Sequence, residues 1–213
     1  MKKHIQRSLL AFACLVPLTS LAQESPLTVC EGKTWNYCIE NSGYGHIERI
    51  DDLGYHFDGT READGHTYGV FRDGSGKEAA LMRQEGGKVY RNLEPYLREH
   101  FNGDEEAVLY DFGLKPGEEY ISLGFVDNTL GLSSPVKLTV LSVDTIEVHG
   151  QKRIRQRIES EMWNDKHTFT VVEGIGPDYG RLDAPQWGDR NTGFSTSIYH
   201  TVNVTDSDGN TVF

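Results

Sequence analysis

The feature that most constrains the fold is a long run of alternating residues at positions 136–163, interrupted by one turn signal, His149-Gly150. Successive side chains of a β-strand point to opposite faces of the sheet, so a two-residue period predicts half-buried strands. The alternation puts Val140, Ser142 and Asp144 on the same face of the first strand. With a turn between two such strands, the run predicts a long β-hairpin.

Shorter strand-like segments recur along the rest of the chain, separated by glycine and aspartate turns. They are KTWNYCIE, then GYHFDG and HTYGVFRDG on either side of the polar turn TREADG, then AALMRQEGGKVYRNL, KHTFTVVE and the closing TSIYHTVNVTDSDGNTVF. Many short strands joined by such turns are typical of sandwiches and barrels. The sequence therefore predicts an all-β, mainly antiparallel fold, either a sandwich or a partly closed barrel.

One segment, residues 92–101 (NLEPYLREHF), has a helical rather than a strand-like period. Leu93, Tyr96 and Leu97 fall on one side of a helix, and Asn92 is a suitable N-cap residue. We therefore expect one short helix here, packed on the sheet.

Residues 1–22 have the pattern of a signal peptide. Three positive residues precede an apolar stretch that is too short to span a bilayer, and small residues stand just before Gln23. Cleavage there would leave residues 23–213, which we expect to form a single β-rich domain of 191 residues. A lipid anchor on Cys14 is a weaker alternative, because the apolar stretch continues beyond that cysteine.

The charge of the chain excludes several kinds of partner. The net charge is −11, and loss of the three positive residues of the signal peptide would take it to −14. Such a field repels nucleic acid and anionic membranes, so we expect no nucleic-acid partner. After residue 22, no apolar run is long enough for a transmembrane segment. The predicted location is outside the cytoplasm, in the periplasm, at the cell surface or in the medium.

Two cysteines, Cys30 and Cys38, follow the signal peptide. Export to an oxidising compartment favours a disulfide between them. An extended chain would hold them about 26 Å apart, so a bridge requires the chain to reverse, for which Gly32 is suited. Their spacing matches neither a C-x-x-C redox pair nor a zinc site. We therefore predict a Cys30–Cys38 disulfide.

Sequence motifs for catalysis, metal binding and cofactor binding are not found. There is no G-x-S-x-G and no H-E-x-x-H, and DSDGN at residues 206–210 lacks the later ligands of a calcium loop. Acidic groups such as Asp104-Glu105-Glu106 fit solvated surface better than the paired acids of a glycosidase. The sequence thus predicts no catalytic residues, no metal and no cofactor, although a site assembled across strands remains an alternative.

Three arginines and two tryptophans are the candidate ligand-binding residues. Arg153, Arg155 and Arg157 alternate on a strand, so they form a positive stripe with a spacing of about 6.6 Å. The stripe could bind an anionic glycan or a phosphate, or it could pair with acids on a neighbouring strand. Trp163 and Trp187 lie among polar residues, where an indole either stacks on a sugar or covers the edge of the core.

The stretch VVEGIGPDYGRL, residues 171–182, has the glycine content of a phosphate-binding loop, but no helical period follows it. Pro177 also removes one backbone amide. We instead expect a corner in which Gly174 and Gly176 bend the chain and Ile175 anchors it in the core.

In their order along the chain, several motifs resemble a widespread group of uncharacterised secreted proteins of Bacteroidetes-type bacteria. The most specific of them are LYDFGLKPGEEY and VEGIGPDYG, and the resemblance covers nearly all of the chain after residue 22. It implies export and a mainly β fold. It supplies no catalytic residues.

Together these observations predict an exported, non-enzymatic binding or interaction module for a glycan or a protein. The alternative is a secreted hydrolase with a site assembled across strands. A concave pocket with convergent histidine and carboxylate groups would favour the hydrolase, whereas a flat aromatic or arginine face would favour binding. The oligomeric state remains open.

Overall fold

The computed structural model describes residues 34–43, 46–127, 132–162, 165–178, 180–181, 184–185, 195–205 and 208–211. In these ranges the chain is mostly antiparallel β-structure, arranged as two curled half-barrel sheets with one short helix. This confirms the predicted fold class. The predicted signal peptide lies outside the described residues.

Fourteen strands lie in the described part of the chain. They are β1 Thr34–Gly43, β2 His46–Ala63, β3 His66–Arg72, β4 Glu78–Glu85, β5 Lys88–Asn92, β6 Glu106–Asp111, β7 Glu119–Asp127, β8 Leu132–Val148, β9 Gln151–Met162, β10 Asp165–Val172, β11 Gly176–Pro177, β12 Gly180–Arg181, β13 Ala184–Pro185 and β14 Ser195–Thr205.

The larger sheet has seven strands in the order β14-β1-β2-β3-β4-β5-β6, and the smaller sheet has five in the order β11-β10-β9-β8-β7. Strands β12 and β13 pair with each other. Both large sheets are meanders in which chain neighbours are also sheet neighbours, except that β14 returns to pair with β1. The sheets share one hydrophobic core, to which Phe71 and Leu109 contribute from the larger sheet and Leu138 and Ile158 from the smaller one.

The β2–β3 hairpin turns over two residues only, Asp64 and Gly65. Both have positive φ angles, 47° and 80°, as a type I′ turn requires. The prediction that the whole segment TREADG forms the turn was therefore wrong. Arg61 and Glu62 are exposed and polar, yet they pair in register with β3, and Arg61 also forms an ion pair with Glu78 of β4. These pairs extend the strand through a segment whose composition is typical of a loop.

The short helix α1 spans Pro95–Arg98 and continues as a 3-10 turn over Glu99–Phe101. Leu93, Leu97 and Phe101, spaced four residues apart, are buried in the shared core. Their spacing puts them on one side of the helical segment, which packs on the core as predicted. The prediction that Tyr96 shares this side was wrong, because Tyr96 is 42% exposed and Phe101 takes the buried position instead.

Asn92 does not cap this helix, so that part of the prediction was wrong. It is the last residue of β5, and the N-cap position is occupied by Glu94, which makes no side-chain cap hydrogen bond. The Asn92 side chain instead donates from Nδ2 to Oδ2 of Asp64 at 2.7 Å. Its amide therefore ties the end of β5 to the β2–β3 turn.

Strand β8 contains a β-bulge, because its register to β9 shifts between Val140 and Ser142. The extra residue, Leu141, moves the following side chains to the other face. Val140 is fully buried, whereas Ser142 and Asp144 are exposed. The prediction that these three share one face was therefore wrong, and the shift brings Asp144 opposite Arg155.

The segment LYDFGLKPGEEY connects β6 of the larger sheet to β7 of the smaller one. Asp111 accepts a hydrogen bond at Oδ1 from the backbone N–H of Gly113 at 3.0 Å, and its Oδ2 lies 3.0 Å from Nζ of Lys88. The buried Gln156 of β9 donates from Nε2 to the carbonyl oxygen of Asp111 at 2.9 Å. This motif is thus a fixed crossover between the two sheets.

The corner after β10 forms as predicted. Gly174 and Gly176 have φ angles of 79° and 104°, which L side chains rarely adopt, and Ile175 between them is buried. The indole Nε1 of Trp35 donates to the carbonyl oxygen of Ile175 at 2.7 Å. The crossover after β6 and the corner after β10 therefore both have structural roles.

Candidate functional site

A pocket of about 290 Å³ opens on the outer face of the larger sheet. We call it the outer-face pocket, and it is lined by His66, Tyr90, Asp104, Glu105, Glu106 and Val108.

Strand alternation places these residues away from the shared core. Val89 of β5 and Ala107 of β6 belong to the core cluster, so Tyr90 and Val108, each the next residue along, lie on the opposite face. Tyr90 pairs across the sheet with Val108 on one side and with Arg83 of β4 on the other. The central part of the pocket is therefore fixed by sheet register.

Glu106 is the most constrained side chain in the lining. Arg83 donates from Nε to Oε1 at 2.5 Å and from Nη2 to Oε2 at 2.6 Å, and the Tyr68 hydroxyl donates to Oε1 at 2.6 Å. The Glu106 side chain is 14% exposed. A carboxylate has about four acceptor sites, so these three donors fix its orientation and leave about one site for a ligand.

The bond from Tyr68 to Glu106 crosses β4 and β5, since Tyr68 is on β3 and Glu106 on β6. Three strand spacings amount to about 14 Å, so the two side chains must lean toward each other over the sheet. Tyr68 is completely buried in this arrangement. Burial and the hydrogen bond with Glu106 raise the pKa of Tyr68 to about 12. The phenol therefore remains a hydrogen-bond donor at neutral pH.

Glu106 remains ionised for the complementary reason. Burial acts to raise its pKa, but the hydrogen bonds from Arg83 and Tyr68 outweigh burial and hold the pKa of Glu106 below its usual value. The carboxylate is thus an oriented, charged acceptor at the wall of the pocket.

Arg83 also orients the aromatic ring of the pocket. Its guanidinium carbon lies 4.3 Å from the centre of the Tyr90 ring, which is a cation–π contact. Tyr90 of β5 and Val108 of β6 both line the pocket, whereas Arg83 approaches Tyr90 from β4 on the other side. One side of the ring is therefore occupied by an internal cation, and the cavity lies on the β6 side.

The β2–β3 turn closes one end of the pocket. Asp64 accepts hydrogen bonds at Oδ2 from Asn92 Nδ2 at 2.7 Å and from Arg98 Nη2 at 2.6 Å. These bonds lower the pKa of Asp64. His66, two residues along, packs edge-on against Tyr68 with ring centres 6.3 Å apart. The turn is thereby held against the helix, which positions the His66 wall.

Asp104 and Glu105 lie at the exposed rim. Oε1 of Glu105 is 3.7 Å from Nη1 of Arg98, and the Glu105 side chain is 53% exposed. Within the described residues, Asp104 has no ion-pair partner. The rim therefore carries negative charge that is poorly compensated.

These groups can stack on a ring and accept hydrogen bonds from hydroxyl or amine groups. Across the part of the chain that the structure describes, no group of three His, Cys, Asp or Glu residues could hold a metal ion. The aromatic ring and the acceptors of the lining suit an organic ligand with several hydrogen-bond donors.

Of the predicted binding residues, the three arginines lie on β9 on the opposite face from the buried Gln156. Arg155 donates from Nε to Oδ1 of Asp144 at 2.8 Å and from Nη2 to Oδ2 at 2.5 Å. This hydrogen bonding lowers the pKa of Asp144. Arg155 is therefore engaged in the cross-strand pairing that was the alternative to ligand binding.

The other two arginines have different neighbours. Arg153 donates from Nη2 to Oε1 of Gln151 at 2.5 Å. Arg157 is exposed between Ser142 of β8 and Thr170 of β10, and no described carboxylate forms an ion pair with it. An anion-binding role for the stripe stays a prediction.

Cys38 lies on β1. Trp163, Trp187 and Cys30 lie outside the described residues, and the side chain of Cys38 is not described. Of the predicted binding residues, the three arginines are described, and none of these three lines the outer-face pocket.

Sequence reasoning missed this pocket because Asp104-Glu105-Glu106 was interpreted as solvated surface. That interpretation holds for the exposed Asp104 and Glu105, but it is wrong for Glu106. One signal was present, since Glu106 begins the alternating segment EAVLYD and so belongs to a strand. Its partners on β3 and β4 follow only from the folded sheet.

Among the described residues, no helix is both long and apolar enough to cross a membrane. No protein-family model matches the chain, and no curated protein matches it. One solved structure similar to it is that of a protein described as a "putative lipoprotein" from the Bacteroidetes bacterium Parabacteroides distasonis. The match has 11% identity, covers 85% of this chain and 98% of that chain, and has a TM-score of 0.32. A likeness this slight supports no statement about function.

Proposed function

We propose that this protein is an exported, non-enzymatic binding module and that its ligand is a glycan bound in the outer-face pocket. One observation carries the proposal: the Tyr90 ring stands beside a carboxylate, Glu106, that Arg83 and Tyr68 hold ionised and oriented. Export is supported by the signal-peptide pattern of residues 1–22.

A glycan suits the chemistry of this pocket. Aromatic rings offer a large apolar surface with defined geometry, and the C–H face of a sugar ring can stack on such a surface. An ionised carboxylate accepts strong hydrogen bonds from hydroxyl groups. Ligand pockets commonly measure about 300–1,000 Å³, so a cavity of about 290 Å³ suits one sugar ring rather than a long chain segment.

Hydrolysis is the second candidate function, because a histidine and three carboxylates converge in the pocket. A glycosidase needs one carboxyl with a raised pKa to act as general acid. The hydrogen bonds from Arg83 and Tyr68 hold the pKa of Glu106 below its usual value, so Glu106 does not have the raised pKa of such an acid. This supports binding over hydrolysis.

A glycan array followed by calorimetric titration of the positive sugars tests the proposal. We expect Tyr90→Ala to abolish binding and Tyr90→Phe to retain it, because stacking needs the ring and not its hydroxyl. Tyr96→Ala is the matched control, since Tyr96 is 42% exposed and does not line the pocket.

Equal melting temperatures of Tyr90→Ala and Tyr96→Ala would show that loss of binding is not loss of folding. The proposal fails if no glycan binds or if Tyr90→Ala binds like the wild type. Release of free sugar from a bound glycan would favour the hydrolase, and capture of proteins alone would favour a protein ligand.

A further inference from the structure

The outer-face pocket has properties that narrow the class of sugar it can take. Arg83 already covers Tyr90 from the β4 side, so a sugar can stack only where the ring borders the cavity. The ligand therefore meets Tyr90 and Glu106 together, because both line the same small space.

Glu106 can only accept hydrogen bonds. An ionised carboxylate has no hydrogen to donate, and both Glu106 oxygens are held in place by Arg83. A sugar hydroxyl or amine can donate to the remaining acceptor site. An ionised sugar carboxylate or a sulfate has no hydrogen to donate. If such a group faced Glu106, two negatively charged acceptors would lie against each other without a hydrogen bond between them.

The arginines beside the pocket are already paired with carboxylates of the protein. Arg83 is bonded to Glu106 and, through Nη1, to Glu85 at 2.7 Å. Arg98 is bonded to Asp64 at 2.6 Å. The exposed Asp104 and Glu105 then add two negative groups at the rim, and only Glu105 lies within 4 Å of a cation.

We infer that the pocket binds uncharged or basic sugars and rejects anionic ones, with Asp104 and Glu105 as the residues that set this selectivity. The inference rests on the proposed glycan-binding function. Like charges brought into one pocket without a counter-ion repel, and such repulsion is a usual source of specificity.

Matched sugars that differ only at one carbon test the selectivity. The probes are the methyl glycosides of glucose and glucuronic acid, galactose and galacturonic acid, and mannose and mannuronic acid, titrated in NMR experiments at low salt. We expect the wild type to bind the neutral member of a pair about tenfold or more tightly than its uronic partner.

The double variant Asp104→Asn/Glu105→Gln should lower that ratio severalfold by raising the affinity for the uronic sugars. Glu147→Gln/Glu161→Gln is the control, because it removes the same charge from exposed positions on the smaller sheet and should keep the wild-type ratio. Raising the salt concentration should reduce the wild-type ratio as well.

Equal or tighter binding of the uronic sugars by the wild type overturns the inference while leaving glycan binding intact. A ratio that the Asp104→Asn/Glu105→Gln variant does not change also overturns the assignment of these residues. Binding of neither member of any pair overturns the inference too, and a glycan array without Tyr90-dependent binding then overturns the proposed function with it.

Discussion

At the scale of single residues, Glu106 connects the polar network of the outer face. It joins β3, β4 and β6 through Tyr68 and Arg83. An ion pair this well enclosed contributes through the cost of breaking it, since removal of one partner leaves the other poorly solvated. The Arg83 side chain is only 12% exposed, so removal of the Glu106 carboxylate would leave its guanidinium without its main partner and with little access to water.

We therefore predict that Glu106→Gln lowers the free energy of unfolding by about 1–3 kcal/mol. The control is Glu78→Gln, which breaks a similar two-bond pair with Arg61 at side chains that are 34% and 46% exposed. An exposed pair contributes at most about 1 kcal/mol. Urea unfolding at pH 7 measures both variants, and equal losses would contradict the argument from burial.

The pH dependence of the same variant has a definite sign. The pKa of Glu106 is lowered in the folded state, so its stabilising contribution is complete above the unfolded value of about 4.3 and is lost as the pH falls through the folded pKa. The stability difference between wild type and Glu106→Gln should thus be constant near neutral pH and shrink below about pH 4. A difference that grows in acid would refute this assignment.

The sequence identified single residues of the site poorly, for a physical reason. A pocket built across β3 to β6 depends on which side chains stand opposite each other, and register follows from turns and bulges. Tyr90, Arg83 and Glu106 are each ordinary in their own segments, and only pairing in the sheet makes them a site.

At the scale of elements, a two-residue period predicted the strands and a helical period predicted the short helix. Both periods can be recognised because burial of one face requires apolar residues at a regular spacing. The prediction failed where one residue breaks the period. Leu141 is such a residue, since the bulge shifts the register and puts Ser142 opposite Arg157 of β9. The corner at Gly174–Gly176 was predictable because glycine is required for positive φ angles.

We predict that Gly174→Val destabilises the fold by about 2 kcal/mol or more, because a β-branched side chain is strained at a φ of 79°. This corresponds to a fall of several degrees in melting temperature, at about 2–4 °C per kcal/mol for a chain of this size. Gly150→Asn is the control, since that glycine has a φ of 75° in an exposed turn and asparagine tolerates such a conformation. Calorimetry should show a large effect only for Gly174→Val, and glycan affinity should be unchanged where the variant is folded.

At the scale of the whole molecule, fold class followed from the sequence, but the division into two sheets did not. The chain leaves the first sheet through LYDFGLKPGEEY, where Gln156 from the second sheet holds the Asp111 carbonyl. Nothing local in that segment distinguishes a crossover from another hairpin. Its role depends on a residue 45 positions away.

Export and the disulfide can be tested together by mass. We predict that protein recovered from the periplasm or medium starts at Gln23 and has the mass of residues 23–213 less two hydrogens, for a Cys30–Cys38 bridge. Reduction should add back the two hydrogens and lower the free energy of unfolding by about 2–3 kcal/mol in the chain-entropy model. A lipid-sized mass increase, or two thiols that react without reductant, would contradict this prediction.

The pairing of β1 with β14 also sets an order of folding. The first strand of the larger sheet acquires its second neighbour only when residues 195–205 exist, and the Trp35 indole reaches a carbonyl 140 residues away. Contacts between such distant parts of a chain are slow to close, since the entropy of a large loop must be lost first. A chain in which residues 195–205 have not yet docked therefore lacks the partner that completes this sheet, and one edge of its first strand stays unpaired until then.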